Sequence, residues 1–209
     1  ICAQGGEGGG HTGDVGTSIL IPMVVDLCKG KMSPLTGKPV HVVAAGGIYD
    51  GRGLAMSLAL GAEAVWVGTR FVACTESGSP PKHKTDICKA GVHDTHRTLV
   101  YTGRPLRIIK NKYSMNWEEN RAAEMKTLLQ QGTLPYEADQ LLMEKKAKGE
   151  MADAPVPVGV TQAHPWLCGQ VAGPITEVLP AQQIVEEMVA GAAEMLRSNL
   201  AKVSFASKL

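Results

Sequence analysis

The chain has 209 residues, enough for one large domain or one domain with an appended piece. Its 44% apolar and 20% charged residues are the balance of an ordinary globular protein. A net charge of +1 and an aromatic content of 4% give no basic or base-stacking surface for nucleic acid, and no apolar stretch is long enough to span a bilayer, so neither nucleic acid nor membrane is an expected partner.

Ile1 to Gln4 reads as the end of a buried strand and runs into the loop Gly5-Gly6-Glu7-Gly8-Gly9-Gly10-His11-Thr12-Gly13. A buried strand with nothing before it lacks neighbours, so the expectation is that an N-terminal half of the fold lies outside this sequence. Thr17 or Ser18 can cap a helix that reaches Cys28, with Pro22 in its first turn and Gly30 at its end. Val40 to Ala45 is an apolar, β-branched run of strand length stopped by Gly46-Gly47. Asp50 can cap the next helix, Arg52 to Leu60, where Leu54, Ala55, Leu58 and Ala59 share a face and Gly61 follows. Ala64 to Val67 is a third strand, ending at Gly68-Thr69.

Strands apolar on both faces and joined by helices imply a parallel sheet covered on both sides. Three such units are too few to stand alone. They fit the C-terminal portion of a TIM (β/α)8 barrel, which needs about 250 residues; a doubly wound open sheet is the alternative from pattern alone. Residues 1–73 are therefore assigned to barrel units and 74–170 to an inserted helical or α+β cap domain. Residues 171–209 are assigned to a return helix and tail. Within the cap, Thr98 to Tyr101 and Leu106 to Ile109 read as extended, Trp117 to Gln131 and Tyr136 to Lys148 as amphipathic helices, and Met151 to Val160 as extended. Pro180 to Lys202 reads as a helix, with Ile184, Val185, Met188, Val189, Ala192 and Leu196 on one side.

The five cysteines are odd in number and contain no C-x-x-C pair, which argues for reduced thiols rather than a disulfide framework. His83, His93 and His96 with Cys88 match no zinc spacing and are placed on a surface helix and loop, so no metal is expected. His41 lies within a strand and reads as structural. The terminal Ser207-Lys208-Leu209 reads as a peroxisomal address.

Three glycine-bearing loops each follow a strand, and in an α/β barrel such loops meet on the face where the active site lies. Gly46, Gly47 and Gly68 leave backbone N–H groups bare, and Thr69 adds a hydroxyl, which together make a phosphate cradle without a Walker lysine. His11 sits on a polar, glycine-packed loop rather than an apolar helix face, where an imidazole can serve proton transfer at neutral pH. The bland readings are tight turns after strands and a histidine that only holds its loop in shape.

As an ordered set, Ala3 to Gly13, Ala45-Gly46-Gly47-Ile48, Gly61-Ala62 with Val67-Gly68-Thr69-Arg70-Phe71, Thr102 to Arg107 and Cys168 to Gly173 resemble the signature series of nitronate monooxygenases, formerly called nitropropane dioxygenases. The resemblance covers essentially the whole chain. It implies a TIM barrel holding FMN non-covalently, with Gln4 and Gly9 touching the flavin. Gly46, Gly47, Gly68 and Thr69 would hold its phosphate, and His11 would be the catalytic base. The family loop commonly carries an alanine before its paired glycines, where this chain has Gly8. The implied reaction converts alkyl nitronates or nitroalkanes, with dioxygen, to carbonyl compounds and nitrite. Two other readings stay open. One is a related flavin barrel that takes hydride from a nicotinamide, of the enoyl-acyl-carrier-protein or quinone reductase type. The other is an inactive fragment or interaction domain. The sequence leaves a homodimer open and the physiological substrate unspecified.

Overall fold

The computed structural model describes residues 1–200 and 202, so the Ser207-Lys208-Leu209 address lies outside the described residues. In chain order, β1 (Cys2–Gln4) leads into the glycine loop, of which Gly10–His11 forms β2; α1 (Thr17–Cys28), β3 (Val43–Ala45), α2 (Gly51–Ala59), β4 (Ala64–Trp66) and α3 (Thr69–Val72) follow. β1, β3 and β4 make a parallel sheet in that order, with Cys2 opposite Val43 and Ala44 opposite Val65. The ladder limits the strands. β1 offers three residues, so only Val43–Ala45 of the expected Val40–Ala45 run is paired as strand.

Helix α1 ends at Cys28 as its sequence suggests, but its N-terminus is held differently from expectation. Gly16 is the flanking residue, and Thr17 is the first helical residue rather than a cap. Its N–H donates instead to the Glu7 carboxylate, at 2.9 and 3.1 Å. Pro22 accordingly lies beyond the first turn, where the Ser18 carbonyl receives no proline N–H; Ser18 is exposed, so water can meet it. For α2, the Asp50 carboxylate accepts from Gly53 N–H at 3.0 Å, which is the cap read from the sequence.

The remainder comprises α4 (Pro81–Lys89), β5 (Thr95–Thr98), β6 (Leu106–Ile109), α5 (Lys112–Asn120), α6 (Ala122–Gln130), α7 (Pro135–Ala147) and α8 (Ala181–Leu200). β5 pairs antiparallel with β6, and β6 also pairs with β2, placing His11 opposite Leu106. The glycine loop is thus stitched to the middle of the chain. The first extended run is displaced from the expected Thr98–Tyr101 to Thr95–Thr98, the residues that face β6. Met151 to Val160 forms turns rather than an extended run.

A single helix expected over Trp117–Gln131 is broken at Arg121, which leaves helical geometry with φ −125° and ψ 22°. The Arg121 guanidinium stacks 3.4 Å over the Trp117 ring and donates to the buried Asp139 carboxylate at 2.9 and 3.1 Å. Asp139 also accepts from the Tyr113 hydroxyl at 2.9 Å and the Trp117 indole N–H at 3.1 Å. A buried carboxylate must find several donors, and the chain supplies them by ending a helix early.

Three apolar clusters result. Ala3, Ile21, Ala44, Ile184 and Met188 join the parallel sheet to α1 and α8. Val100, Ile108, Tyr113 and Trp117 fill the middle segment, and Ala73, Ile87, Cys168 and Ala172 form a third cluster against which Val72 and Ile109 pack. α8 crosses α2 at Gly51, where a β-carbon would fall 2.5 Å from Ala192 N. No helix of the described residues is long and apolar enough to cross a membrane.

Candidate active site

The ends of β1, β3 and β4 open onto one cleft of about 220 Å³. Its lining includes Gln4 and Gly9 from the first loop, Gly46 and Gly47 from the second, and Gly68 and Thr69 from the third. All six residues expected to touch a cofactor are therefore brought together, although they come from three loops separated by up to 65 positions. The volume is below the roughly 300–1,000 Å³ of a whole drug-sized site, so the cleft has room for part of a large cofactor rather than all of it.

The glycines serve different purposes. Gly46 and Gly47 have φ of +86° and +74°, a backbone that L side chains rarely adopt. A β-carbon on Gly46 would lie 2.7 Å from the Gly5 carbonyl oxygen. Gly9 is packed against protein, since a β-carbon there would sit 2.7 Å from the Cys168 carbonyl carbon and the Gly169 nitrogen. At Gly68 a β-carbon meets nothing within 4 Å. Among the three glycines carried on the second and third loops, Gly68 is thus the one whose bareness leaves open space beside it, and it lines the cleft. Among the described residues, the N–H groups of Gly46, Gly47 and Gly68 donate to no backbone carbonyl. N–H groups without a backbone acceptor in residues that line one cleft suit an anionic oxygen, which is the chemistry a phosphate end requires.

Thr69 is buried, and its hydroxyl accepts the Gly169 N–H at 2.9 Å. That bond ties the third loop to a segment the sequence did not single out as a wall, Trp166 to Gln170. The Trp166 carbonyl accepts from Ile109 N–H at 2.9 Å, and Gln170 N–H donates to the Glu7 carbonyl at 2.9 Å. Leu167, Gly169 and Val171 consequently line the cleft beside the first glycine loop, and Trp66, 67% exposed, lines it from β4. Burial pushes the Cys168 thiol up to about 12, so it stays a neutral packing group.

Gln4 is the bridge to His11. Its side chain lies in the cleft and its Nε2 donates to the His11 carbonyl at 2.9 Å. Gly8 makes room for it, because a β-carbon there would come within 2.6 Å of that Nε2. His11 itself is exposed and does not line the cleft; it stands one hydrogen bond from its edge. Its Nε2 is 2.9 Å from the Thr102 hydroxyl oxygen, on the turn before β6. The structure also places His11 on a strand rather than a free loop, a pairing fixed by residues about 95 positions later and invisible to local reading.

Two further histidines lie elsewhere than on an exposed helix and loop. His83 is buried on α4, its Nε2 3.0 Å from the Leu167 carbonyl, and burial lowers its pKa. His96 is on β5, 2.9 Å from the Ser114 hydroxyl, and burial with Lys110 and Arg107 nearby lowers it to about 4. Among the described residues no group of three or more His, Cys, Asp or Glu side chains is placed to hold a metal ion.

Residues 1–191 match the family model described as nitronate monooxygenase. The chain is 32% identical over 198 residues to a nitronate monooxygenase of Paraburkholderia phytofirmans, covering 90% of this chain and 47% of that protein. It is 31% identical over 226 residues to the (3aS,4S,5R,7aS)-5-hydroxy-7a-methyl-1-oxo-octahydro-1H-indene-4-carboxyl-CoA dehydrogenase of Mycobacterium tuberculosis, covering 97% and 62%. The fold superposes on nitroalkane oxidase from Streptomyces ansochromogenes with a TM-score of 0.65 at 28% identity, over 95% of this chain and 52% of that one. It superposes on FabK from Thermotoga maritima with a TM-score of 0.66 at 32% identity, over 97% and 57%. The chain thus spans about half the length of the proteins it matches.

Proposed function

The chain belongs to the nitronate monooxygenase family, and from that premise we propose that it supplies the His11-bearing part of an FMN enzyme that oxidises alkyl nitronates or nitroalkanes. The observation that carries this reading is the convergence of Gln4, Gly9, Gly46, Gly47, Gly68 and Thr69 on one cleft, with the base candidate at its edge. In this proposal the parallel strands are three units of a TIM barrel and residues 74–170 are the cap beside the substrate.

The Gly46, Gly47 and Gly68 N–H groups would hold the phosphate end, with Thr69 fixing the third loop through Gly169. Gln4 would orient the loop that carries His11. A carbon beside a nitro group is acidic, so the His11 imidazole can take its proton at neutral pH and leave an electron-rich nitronate. When bound, the flavin would supply the redox chemistry, accepting electrons from the nitronate and passing them to dioxygen. Carbonyl compound and nitrite would leave.

Anaerobic mixing tests this. Flavin bleaching by an alkyl nitronate, with carbonyl compound and nitrite formed when air is admitted, is the expected result. Bleaching by NADH and not by nitronate would replace the proposal with the nicotinamide-dependent reading. A second reading, dehydrogenation of an acyl-CoA, is favoured by the 31% identity to the Mycobacterium tuberculosis dehydrogenase. Bleaching by a CoA thioester alone would select it.

A further inference from the structure

We propose that Thr102 is a positioning residue that sets the tautomer of His11, holding the ring proton on Nε2 and leaving Nδ1 as the basic nitrogen. This deepens the reading of His11 as the base and rests on it. Proton counting fixes which partner donates. A threonine hydroxyl has one proton to donate and lone pairs to accept with. Thr102 Oγ1 makes two contacts, to the Arg104 carbonyl oxygen at 3.2 Å and to His11 Nε2 at 2.9 Å. A carbonyl oxygen can only accept, so both contacts are hydrogen bonds together only when the hydroxyl proton goes to Arg104. The contact with His11 is then a hydrogen bond only if Nε2 carries the proton and Thr102 accepts it.

The surrounding backbone makes this arrangement durable. His11 is opposite Leu106 in the β2–β6 pair, and Thr12 N–H donates to the Pro105 carbonyl at 3.2 Å. The turn bearing Thr102 is tight, with Gly103 at φ +66° and its N–H on the Leu99 carbonyl at 2.9 Å. Gln4 holds the His11 carbonyl from the other side. Imidazole, hydroxyl and carbonyl acceptor are therefore mounted on two paired segments. A fixed tautomer presents the same lone pair to every substrate, and a drifting one wastes a share of encounters.

The test reads the ring nitrogens directly. In the FMN-loaded enzyme with ¹⁵N-labelled histidine, the His11 signals are those lost in His11→Asn. Above the pH at which the ring is protonated, a pyrrole-type Nε2 and a pyridine-type Nδ1 are expected. In Thr102→Val the two should move toward a common averaged shift, and Thr102→Ser should restore the separation. A pyridine-type Nε2, or a Thr102→Val spectrum identical to the unaltered one, overturns the assignment. In the same FMN-loaded enzyme, Thr102→Val should lose about tenfold in turnover of neutral nitroalkanes relative to preformed nitronates, and Thr102→Ser less than about twofold. An unchanged ratio in Thr102→Val overturns the positioning role. If His11→Asn leaves that ratio unchanged, the base reading fails while the nitrogen spectrum still reports the tautomer, so the two failures are told apart.

Discussion

The Glu7 carboxylate receives the first N–H of α1 from Thr17, at 2.9 and 3.1 Å, and lies 2.9 Å from the Thr17 hydroxyl. That hydroxyl is also 2.8 Å from the Gly46 carbonyl, so one helix start is shared by the first and second glycine loops. Glu7 therefore does the work of an N-cap from ten residues upstream. Glu7→Ala should lower unfolding free energy by about 1–2 kcal/mol, as loss of a helix cap does. A urea midpoint equal to that of the unaltered chain would show the carboxylate to be dispensable.

Gly9 and Gly68 should respond oppositely to the same added methyl group. In Gly9→Ala the new carbon meets backbone of Cys168 and Gly169 at 2.7 Å, and backbone cannot rotate out of the way. The expected cost is about 1–3 kcal/mol from overpacking, with the cleft wall displaced. In Gly68→Ala the new carbon enters open space, so stability should stay within about 1 kcal/mol. Flavin affinity should fall there instead, because Gly68 lines the cleft. Thermal unfolding and flavin titration of both variants check the contrast; equal stability losses would refute it.

Much of this cleft was legible in the sequence because its glycines follow strands directly. A parallel β/α pattern brings strand ends to one face whatever else the fold contains. Asp50 was readable for the same reason, since a cap acts within three residues. Long-range constraints were not. The strand status of His11 depends on β6, the wall at Leu167 and Gly169 on contacts to Glu7 and Thr69, and the break at Arg121 on a carboxylate eighteen residues onward. Periodicity carried through residue 121 unbroken because the helix ends for an ionic reason, which apolar spacing does not record.

His11→Asn should retain bound flavin, because His11 does not line the cleft and its link to Gln4 is through its backbone carbonyl. Turnover of neutral nitroalkanes should fall by about 100-fold or more, the usual share of a general base. Preformed nitronates need no deprotonation and should be affected far less. Stopped-flow rates on the two substrate forms decide it, and equal losses on both would remove His11 from the proton step.

Asp139 is 2% exposed and meets Arg121, Tyr113 and Trp117. Asp139→Ala leaves the partly buried Arg121 guanidinium and two buried donors without this acceptor. Removing one partner of such a pair costs about 3–5 kcal/mol, more than the pair itself contributes over a well-packed apolar substitute. Denaturant unfolding should therefore show Asp139→Ala to be much less stable than Glu124→Ala. Glu124 pairs with the same Arg121 from a half-exposed position, and exposed pairs contribute about 0–1 kcal/mol. Similar losses in the two variants would contradict the distinction between buried and surface acceptors.

His96 should set part of the acid sensitivity of the fold. Burial, then Lys110 and Arg107, lower its pKa from 6.5 to about 4, so the folded chain holds this ring neutral over a range where the unfolded chain protonates it. Stability from this group is complete above about pH 6.5 and declines as pH falls toward about 4. The slope can reach about 1.4 kcal/mol per pH unit and should be smaller here, because His96 is partly exposed and screened. His83, also lowered by burial, acts in the same direction. Glu76 and Glu124 have pKa values held below their ordinary 4.5, by the Ala181 N–H and by Arg121 respectively, so their contributions fade only below that pH. The interval from pH 6.5 to 4.5 therefore reports mainly on His96 and His83. His96→Gln keeps a polar group near Ser114 without a titrating ring, and its stability should decline less across that interval. Parallel slopes for His96→Gln and the unaltered chain would place the acid sensitivity elsewhere.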